Sequence, residues 1–114
     1  MKHTVSLKQN REFRRLYARG KSAVSPYLAL YCRKSRLPYS RLGITVGGKL
    51  GGAVTRNRVR RRIRELYRVQ EDKLASGYDI VVVARVRAVS ASYRVLEQSF
   101  LRLADKLGLT AEKE

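Results

Sequence analysis

The segment from Arg56 to Arg68 constrains the fold most, because it predicts a helix with one apolar side and one strongly basic side. It places seven arginines in thirteen residues. Val59, Ile63 and Leu66 recur within it at helical spacing, so it is not a disordered basic tail. Such a helix packs its apolar side on a core and presents its arginines to a polyanion, because guanidinium groups make forked contacts with phosphate.

The basic side of this helix is broad. On a helical wheel it fills an arc of about 140° and consists of Arg56, Asn57, Arg60, Arg61, Arg64 and Arg68. Arg56 and Arg58 fall in the first turn, where the helix dipole disfavours cations, so with the free N–H groups of that turn they predict a phosphate site. Glu65 is the only acid in the helix, so salt bridges do not explain the arginines. We therefore predict a nucleic-acid-binding face.

A glycine-rich turn, residues 47–52, precedes the helix. We predict that Thr55 is the N-cap and that Lys49, in the turn, contacts a further phosphate. Gly43, Gly48 and Lys49 have the spacing of a nucleotide phosphate-binding loop. However, Leu50 stands where that loop needs a serine or threonine for magnesium, so no nucleotide site is predicted.

The positive charge is concentrated in the first two thirds of the chain. The 114 residues carry a formal net charge of +17. Residues 1–52 have 12 basic and 1 acidic side chains, residues 53–70 have 7 and 1, and residues 71–114 have 7 and 7. Because self-repulsion destabilises a compact state, we expect the first two segments to face an acidic partner and the last to be scaffold. The length indicates one domain, 1–114, with frayed ends at 1–5 and 109–114.

A short amphipathic helix is predicted near the start of the chain. Phe13 and Tyr17 lie on its apolar side. The capping-box spacing of Ser6 and Gln9 predicts its beginning, and Gly20 predicts its end.

Residues 21–33 then alternate with period two, which indicates a strand that bends or breaks at Pro26. Within it, Leu30 points to the core, whereas Tyr31 and Arg33 lie on the opposite, aromatic and basic side.

Two further strands and a last helix complete the predicted order α-β-β-α-β-α. Residues 41–46 alternate like a strand, and residues 78–84 are apolar and β-branched throughout most of their length, which predicts a central strand buried on both faces. The last helix covers about 92–107. This mixture predicts an α+β sandwich with helices covering one sheet face.

Catalytic side chains are not evident. His3, the only histidine, lies near the chain end, and Cys32, the only cysteine, has no neighbouring group that would activate it. No acidic cluster indicates a magnesium site built by the protein. A single cysteine fits a reducing compartment, and no signal peptide or membrane span is recognisable, so we expect a cytoplasmic protein that does not bind membranes.

At its arginine-rich segment the chain resembles the protein subunits of bacterial ribonuclease P. That family carries a lysine and then Ala-Val-x-Arg-Asn-x-x-(Lys/Arg)-Arg-x-x-Arg. The matching residues here are Lys49, Ala53, Val54, Arg56, Asn57, Arg60, Arg61 and Arg64. The resemblance extends over nearly the whole chain and includes segments 13–20 and 78–85.

The resemblance implies a fold similar to ribosomal protein S5 domain 2, with a left-handed β-α-β crossover that the general handedness rule would not predict. It implies that a partner RNA holds the active site and its Mg²⁺ ions, and that no protein partner is required. The residues implied to contact that RNA are Lys49, Arg56, Asn57, Arg60, Arg61 and Arg64, and we expect Arg68 on the same basic side of the helix to contact it too. The resemblance also implies that the complex removes the single-stranded 5′ leader of precursor tRNA by endonucleolytic hydrolysis, and the residues implied to bind this leader are Phe13, Tyr17 and Tyr31. Because Arg33 shares a strand face with Tyr31, we expect it to contact a leader phosphate.

Two other functions remain compatible with the residues alone. A structural RNA-binding protein would bind RNA without affecting tRNA processing. A DNA-binding regulator would place the arginine helix in a major groove, but it would need a supporting helix where a strand and glycines are predicted. For the aromatic residues, the alternative to stacking on bases is a place in the core.

Overall fold

The computed structural model describes residues 1–110, which form one mixed sheet and three helices. The elements are β1 (Thr4–Ser6), α1 (Asn10–Arg19), β2 (Lys21–Val24), β3 (Leu28–Lys34), β4 (Ser40–Val46), α2 (Ala53–Gln70), β5 (Tyr78–Ala84) and α3 (Tyr93–Lys106). The predicted α+β class is confirmed.

The sheet has the strand order β1-β4-β5-β3-β2. β4 runs parallel to both β1 and β5, whereas β3 is antiparallel to both β5 and β2. The prediction of a central strand at 78–84 is confirmed, because β5 lies in the middle and Ile80, Val81 and Val82 are fully buried. β4, α2 and β5 form a parallel β-α-β unit, whose left-handed crossover stays a prediction of the resemblance.

Helices lie on both faces of the sheet. The main core joins α2 and α3 to the face that carries Leu30 and Val82. On the other face, α1 packs through Leu16 against Val81, with Phe13 and Tyr31 beside them. The prediction that helices cover only one face is therefore wrong, because the apolar side of α1 needs its own contact surface.

α1 crosses its face from β4 towards β3. Near its start, Phe13 lies against Gly43 of β4, and at its end Gly20 approaches the carbonyl of Cys32 in β3. The helix therefore divides this face into two halves, one at each end of the strands.

Both helix starts differ from the sequence prediction. Gln9 is the N-cap residue of α1, because Ser6 belongs to β1. Gly52 is the N-cap residue of α2, and Thr55 lies inside its first turn. In neither helix does a side chain cap the first turn, so the capping signals of serine and threonine were misleading here.

The ends of the described chain contact the rest of the fold at residues 4–5 and 109–110, and the fraying expected at 1–5 and 109–114 stays a prediction. Thr4 pairs with Ser40 in the sheet. Leu109 is fully buried, and Thr110 forms a β-bridge with Leu74. The rest of the predicted frayed end, 111–114, lies outside the described residues.

Candidate nucleic-acid interface

The apolar side of α2 fixes where its arginines point. Val59, Ile63 and Leu66 are fully buried in the main core. The predicted contact residues on the other side are exposed or half-buried: Arg56 and Arg60 are half-buried, and Asn57, Arg61, Arg64 and Arg68 are exposed. The helix thus presents the guanidinium groups to solvent along its length.

These arginines differ in whether an acidic side chain neutralises them. Arg68 donates two hydrogen bonds to Glu65, at 3.0 and 2.6 Å. Hydrogen bonding to Arg68 lowers the pKa of Glu65, so this carboxylate stays charged and neutralises its partner. Within residues 1–110, Arg61 and Arg64 form no ion pair. The other arginines of α2 form no ion pair there either, so the uncompensated positive charge extends from Arg56 to Arg64.

The N-terminus of α2 is open to a ligand. No side chain caps its first turn and no acid lies in it. Lys49 is exposed beside it, and Val54 is 85% exposed. The Nε of Arg56 is buried without a hydrogen-bond partner among the described residues. Free N–H groups with nearby cations form a site for a phosphate.

A groove runs beside the edge of β4 that β1 leaves uncovered. It consists of two adjoining cavities of about 400 and 670 Å³, both lined by Phe13, Ile44 and Arg60. The smaller cavity is also lined by β1 and Arg64, the larger one by Tyr17. α1 and β1 therefore form walls opposite the arginines of α2.

Aromatic rings of α1 form one wall of this groove. Phe13 lies directly over Gly43, where an added Cβ would be 2.5 Å from two ring carbons. Tyr17 is 41% exposed, and its hydroxyl shares a 3.1 Å hydrogen bond with the Thr45 hydroxyl. Tyr31 is half-buried and meets the Tyr17 ring edge-on at 4.9 Å between centroids. Tyr31 thus supports Tyr17 from the sheet.

The structure brings together some of the predicted leader residues and separates one. Phe13 and Tyr17 line the groove with Arg60. Tyr31 contacts it through Tyr17, whereas Arg33 lines a different pocket at the other end of the strands. Arg33 does share a face with Tyr31, as alternation predicts, but α1 lies between Arg33 and the groove.

Two groove residues on α1, Asn10 and Arg14, were not predicted from the sequence. With Tyr17 they have the spacing i, i+4, i+7, which places them on one side of a helix. That spacing was available in the sequence and could have identified them.

The β1 wall is held in place by a buried carboxylate. Glu71, only 2% exposed, accepts hydrogen bonds from the backbone N–H groups of Lys2 and His3, at 2.7 and 3.2 Å, and from the Thr4 hydroxyl. Burial raises the pKa of Glu71, but these hydrogen bonds outweigh it and leave the pKa below its ordinary value. A charged Glu71 therefore fixes the segment that lines the groove.

Side chains for metal binding or nucleophilic catalysis are not assembled in the described part of the chain. No group of three His, Cys, Asp or Glu residues could hold a metal ion there. Cys32 is buried, and burial raises the pKa of its thiol, which disfavours the reactive thiolate. Within residues 1–110, no helix is long and apolar enough to cross a membrane.

Comparison with known proteins identifies the family of the chain. A sequence model of the family described as Ribonuclease P matches residues 1–108. The chain belongs to this family. The ribonuclease P protein component of Clostridioides difficile (strain 630) is 42% identical over 108 residues, covering 94% of this chain and 95% of the relative. That of Natranaerobius thermophilus is 40% identical over 106 residues, covering 93% and 92%.

Solved structures of the ribonuclease P family share the fold. The RNase P protein of Staphylococcus aureus superposes with a TM-score of 0.85 at 30% identity, covering 93% of this chain and 97% of that one. The RNase P protein of Thermotoga maritima gives 0.78 at 32% identity, covering 85% and 92%. One S. aureus structure is of a mutant with defective mRNA degradation activity. The chain is thus a bacterial ribonuclease P protein subunit, and the family associates with the ribonuclease P RNA.

Proposed function

We propose that this subunit binds the catalytic RNA through α2 and the 5′ leader of precursor tRNA in the groove. The observation that carries the proposal is the shared lining of the groove, where Phe13 and Tyr17 of α1 face Arg60 of α2. Bases can stack on the aromatic rings while the arginine takes a phosphate, and both contacts tolerate any sequence. A leader has no fixed sequence, so this is the chemistry that it requires.

Binding the leader would distinguish substrate from product, because mature tRNA has no leader. The hydrolysis that creates the 5′ end takes place in the catalytic RNA, which holds the Mg²⁺ ions. The role of the protein is positioning and charge neutralisation, since Lys49 and the arginines of α2 reduce the repulsion between two RNAs. The complex thus assembles at lower magnesium, in the cytoplasm, and needs no further protein.

The second candidate function is that of a structural RNA-binding protein. The two candidates predict different results in a cleavage assay. The test is reconstitution with the ribonuclease P RNA, followed by cleavage of precursor tRNA at low magnesium. We expect the complex to cleave at the mature 5′ end under conditions in which the RNA alone is slow. Equal rates with and without the protein would leave only the structural role.

The protein alone forms the control arm. We expect RNA-free protein to cleave neither precursor tRNA nor mRNA, because the described residues assemble no catalytic group. We include mRNA as a substrate because one solved S. aureus RNase P protein is a mutant with defective mRNA degradation activity. Specific cleavage at the mature 5′ end by protein free of RNA would contradict the proposal that the RNA holds the active site.

Three variants test the leader site within the complex. Phe13→Ala and Tyr17→Ala should each weaken precursor binding about tenfold, because stacking on one base is worth roughly 1–3 kcal/mol. Tyr31→Ala should have a smaller effect, since Tyr31 acts through Tyr17. Affinity for mature tRNA is the internal control, and an equal loss for both tRNAs would exclude a leader site.

A further inference from the structure

A second basic pocket lies on the other side of α1 from the groove. It has a volume of about 450 Å³ and is lined by Arg15, Arg33, Lys34, Ser35, Arg36, Leu37, Arg41 and Asp79. Four of its cations, Arg15, Arg33, Lys34 and Arg36, are exposed. The family motif in α2 contributes none of these residues.

The two acidic side chains near this pocket, Asp79 and Glu12, both accept hydrogen bonds from Arg41. Arg41 donates to Asp79 through Nε and Nη2, at 2.8 and 2.7 Å, and also donates to Glu12. Within residues 1–110, Arg15, Arg33, Lys34 and Arg36 form no ion pair. Arg41, Asp79 and Glu12 together carry a net charge of −1, so the four exposed cations leave this region with a net charge of +3, which costs stability unless an anion binds.

The turn that follows Lys34, the last residue of β3, and that carries Arg36 is held in a defined conformation. Ser35 donates to the carbonyl of Gly77 from its N–H, at 2.7 Å, and from its hydroxyl, at 3.0 Å. The N–H of Leu37 donates back to the Ser35 hydroxyl oxygen at 3.2 Å. Lys34 and Arg36 thus lie on either side of the fixed Ser35, so their backbone loses less entropy on binding a ligand.

The basic pocket continues around the end of α1. An adjoining pocket shares Arg33 and Lys34 and adds Arg19 and Lys21. Arg19 is the last residue of α1, only two positions beyond Tyr17 of the groove. Along the helix axis, six residues from Phe13 to Arg19 span about 9 Å. A strand stacked on the rings of α1 therefore needs only a few more nucleotides to reach these cations.

We propose that this second basic surface, formed by Arg15, Arg19, Lys21, Arg33, Lys34 and Arg36, binds phosphates of the leader upstream of the nucleotides held in the groove. The proposal rests on the proposed function of the groove. The six side chains that form this surface are exposed cations and none is aromatic, so it fits a phosphodiester backbone rather than stacked bases. Longer leaders should accordingly bind more tightly than short ones.

A leader-length series in the reconstituted complex tests this. The variant Arg33→Ala/Lys34→Ala/Arg36→Ala removes three cations of the surface. Arg94→Ala/Arg102→Ala/Lys106→Ala is the matched control, because it removes the same charge from exposed positions on α3. Precursor affinities are measured for leaders of about 3 and about 12 nucleotides, lengths chosen so that only the longer one passes the end of α1.

We expect the surface variant to lose tenfold or more in affinity for the long leader and almost nothing for the short one. For the long leader, the slope of log affinity against log salt concentration should be smaller by about 2 in this variant, since each single-strand phosphate contact contributes about 0.7. The control variant should keep the advantage of the long leader. Melting temperatures verify that both variants are folded.

Two results would overturn the proposal. An equal loss for both leaders would place the surface against the catalytic RNA or the tRNA body, and no loss would make it a solvated face. Phe13→Ala with the short leader is measured in parallel. If it has no effect there, the groove function itself fails, whereas a normal Phe13 effect with no length dependence refutes only the second surface.

Discussion

Gly43→Ala should weaken leader binding, because it displaces the ring of Phe13. An added Cβ would lie 2.5 Å from two carbons of the Phe13 ring. Carbon atoms are in favourable contact at about 3.5–4.0 Å, so the ring must move by about 1–1.5 Å. The backbone of Gly43 is held by pairing of β4 with β5, so the side chain of Phe13 is the part that yields.

The magnitude follows from what that ring does. Phe13 lines both cavities of the groove, and stacking of a base on an aromatic ring is worth roughly 1–3 kcal/mol. Loss of the stacked position should therefore reduce precursor affinity by about fivefold to a hundredfold. The same crowding should lower stability by about 1–3 kcal/mol, so binding must be measured well below the melting temperature.

The assay is the ratio of precursor to mature tRNA affinity in the complex, measured as a double-mutant cycle with Phe13→Ala. Because Gly43→Ala acts through the ring, it should have almost no further effect once the ring is absent. If Gly43→Ala lowers the ratio as much in the Phe13→Ala background as in the wild type, Gly43 does not act by seating Phe13 and the reasoning is refuted.

Three further predictions concern charge. Binding to the catalytic RNA should weaken by a thousandfold or more between 50 and 200 mM salt if about 6–10 phosphates are contacted; a flat dependence would exclude the arginine face. Arg64→Ala should reduce the salt slope by about 1 and weaken this binding more than Arg68→Ala, whose arginine is already paired with Glu65. Both should leave the melting temperature nearly unchanged, and equal effects on binding would contradict the role of that pair. Glu71→Gln should destabilise the protein by about 1.5–3 kcal/mol at neutral pH. Because the folded pKa of Glu71 is lowered, this difference should be full above the ordinary value of about 4.5 and vanish as pH falls through the folded pKa; a pH-independent difference in denaturant melts would refute it.

The sequence predicted the elements whose apolar spacing is long and regular. α2 and β5 lie where expected, because Val59, Ile63 and Leu66 mark a helix and the run from Ile80 to Val83 marks a buried strand. β1 was missed, because three residues with one valine carry no periodicity. Its place depends on pairing with β4 and on Glu71, which lies 67 residues beyond Thr4.

The candidate site shows the same limit. Alternation along β3 correctly put Tyr31 and Arg33 on one face, but it cannot tell where a helix crosses that face. Because α1 packs between the two ends of the strands, Tyr31 contacts Tyr17 beside the groove and Arg33 lies in the other pocket. Contacts of this kind depend on the angle at which α1 packs, which no local pattern encodes.

The position of β5 has a consequence for synthesis of the chain. β5 is the last strand to be made, yet it lies between β3 and β4, which are neighbours in sequence. At about 5–20 residues per second, roughly 2–8 s separate the end of β4 from the end of β5. During that interval the facing edges of β3 and β4 have no native partner, and unpaired edges attract other strands. A hairpin between β3 and β4 is the nearest pairing available to the growing chain, and it must open before the sheet can be completed.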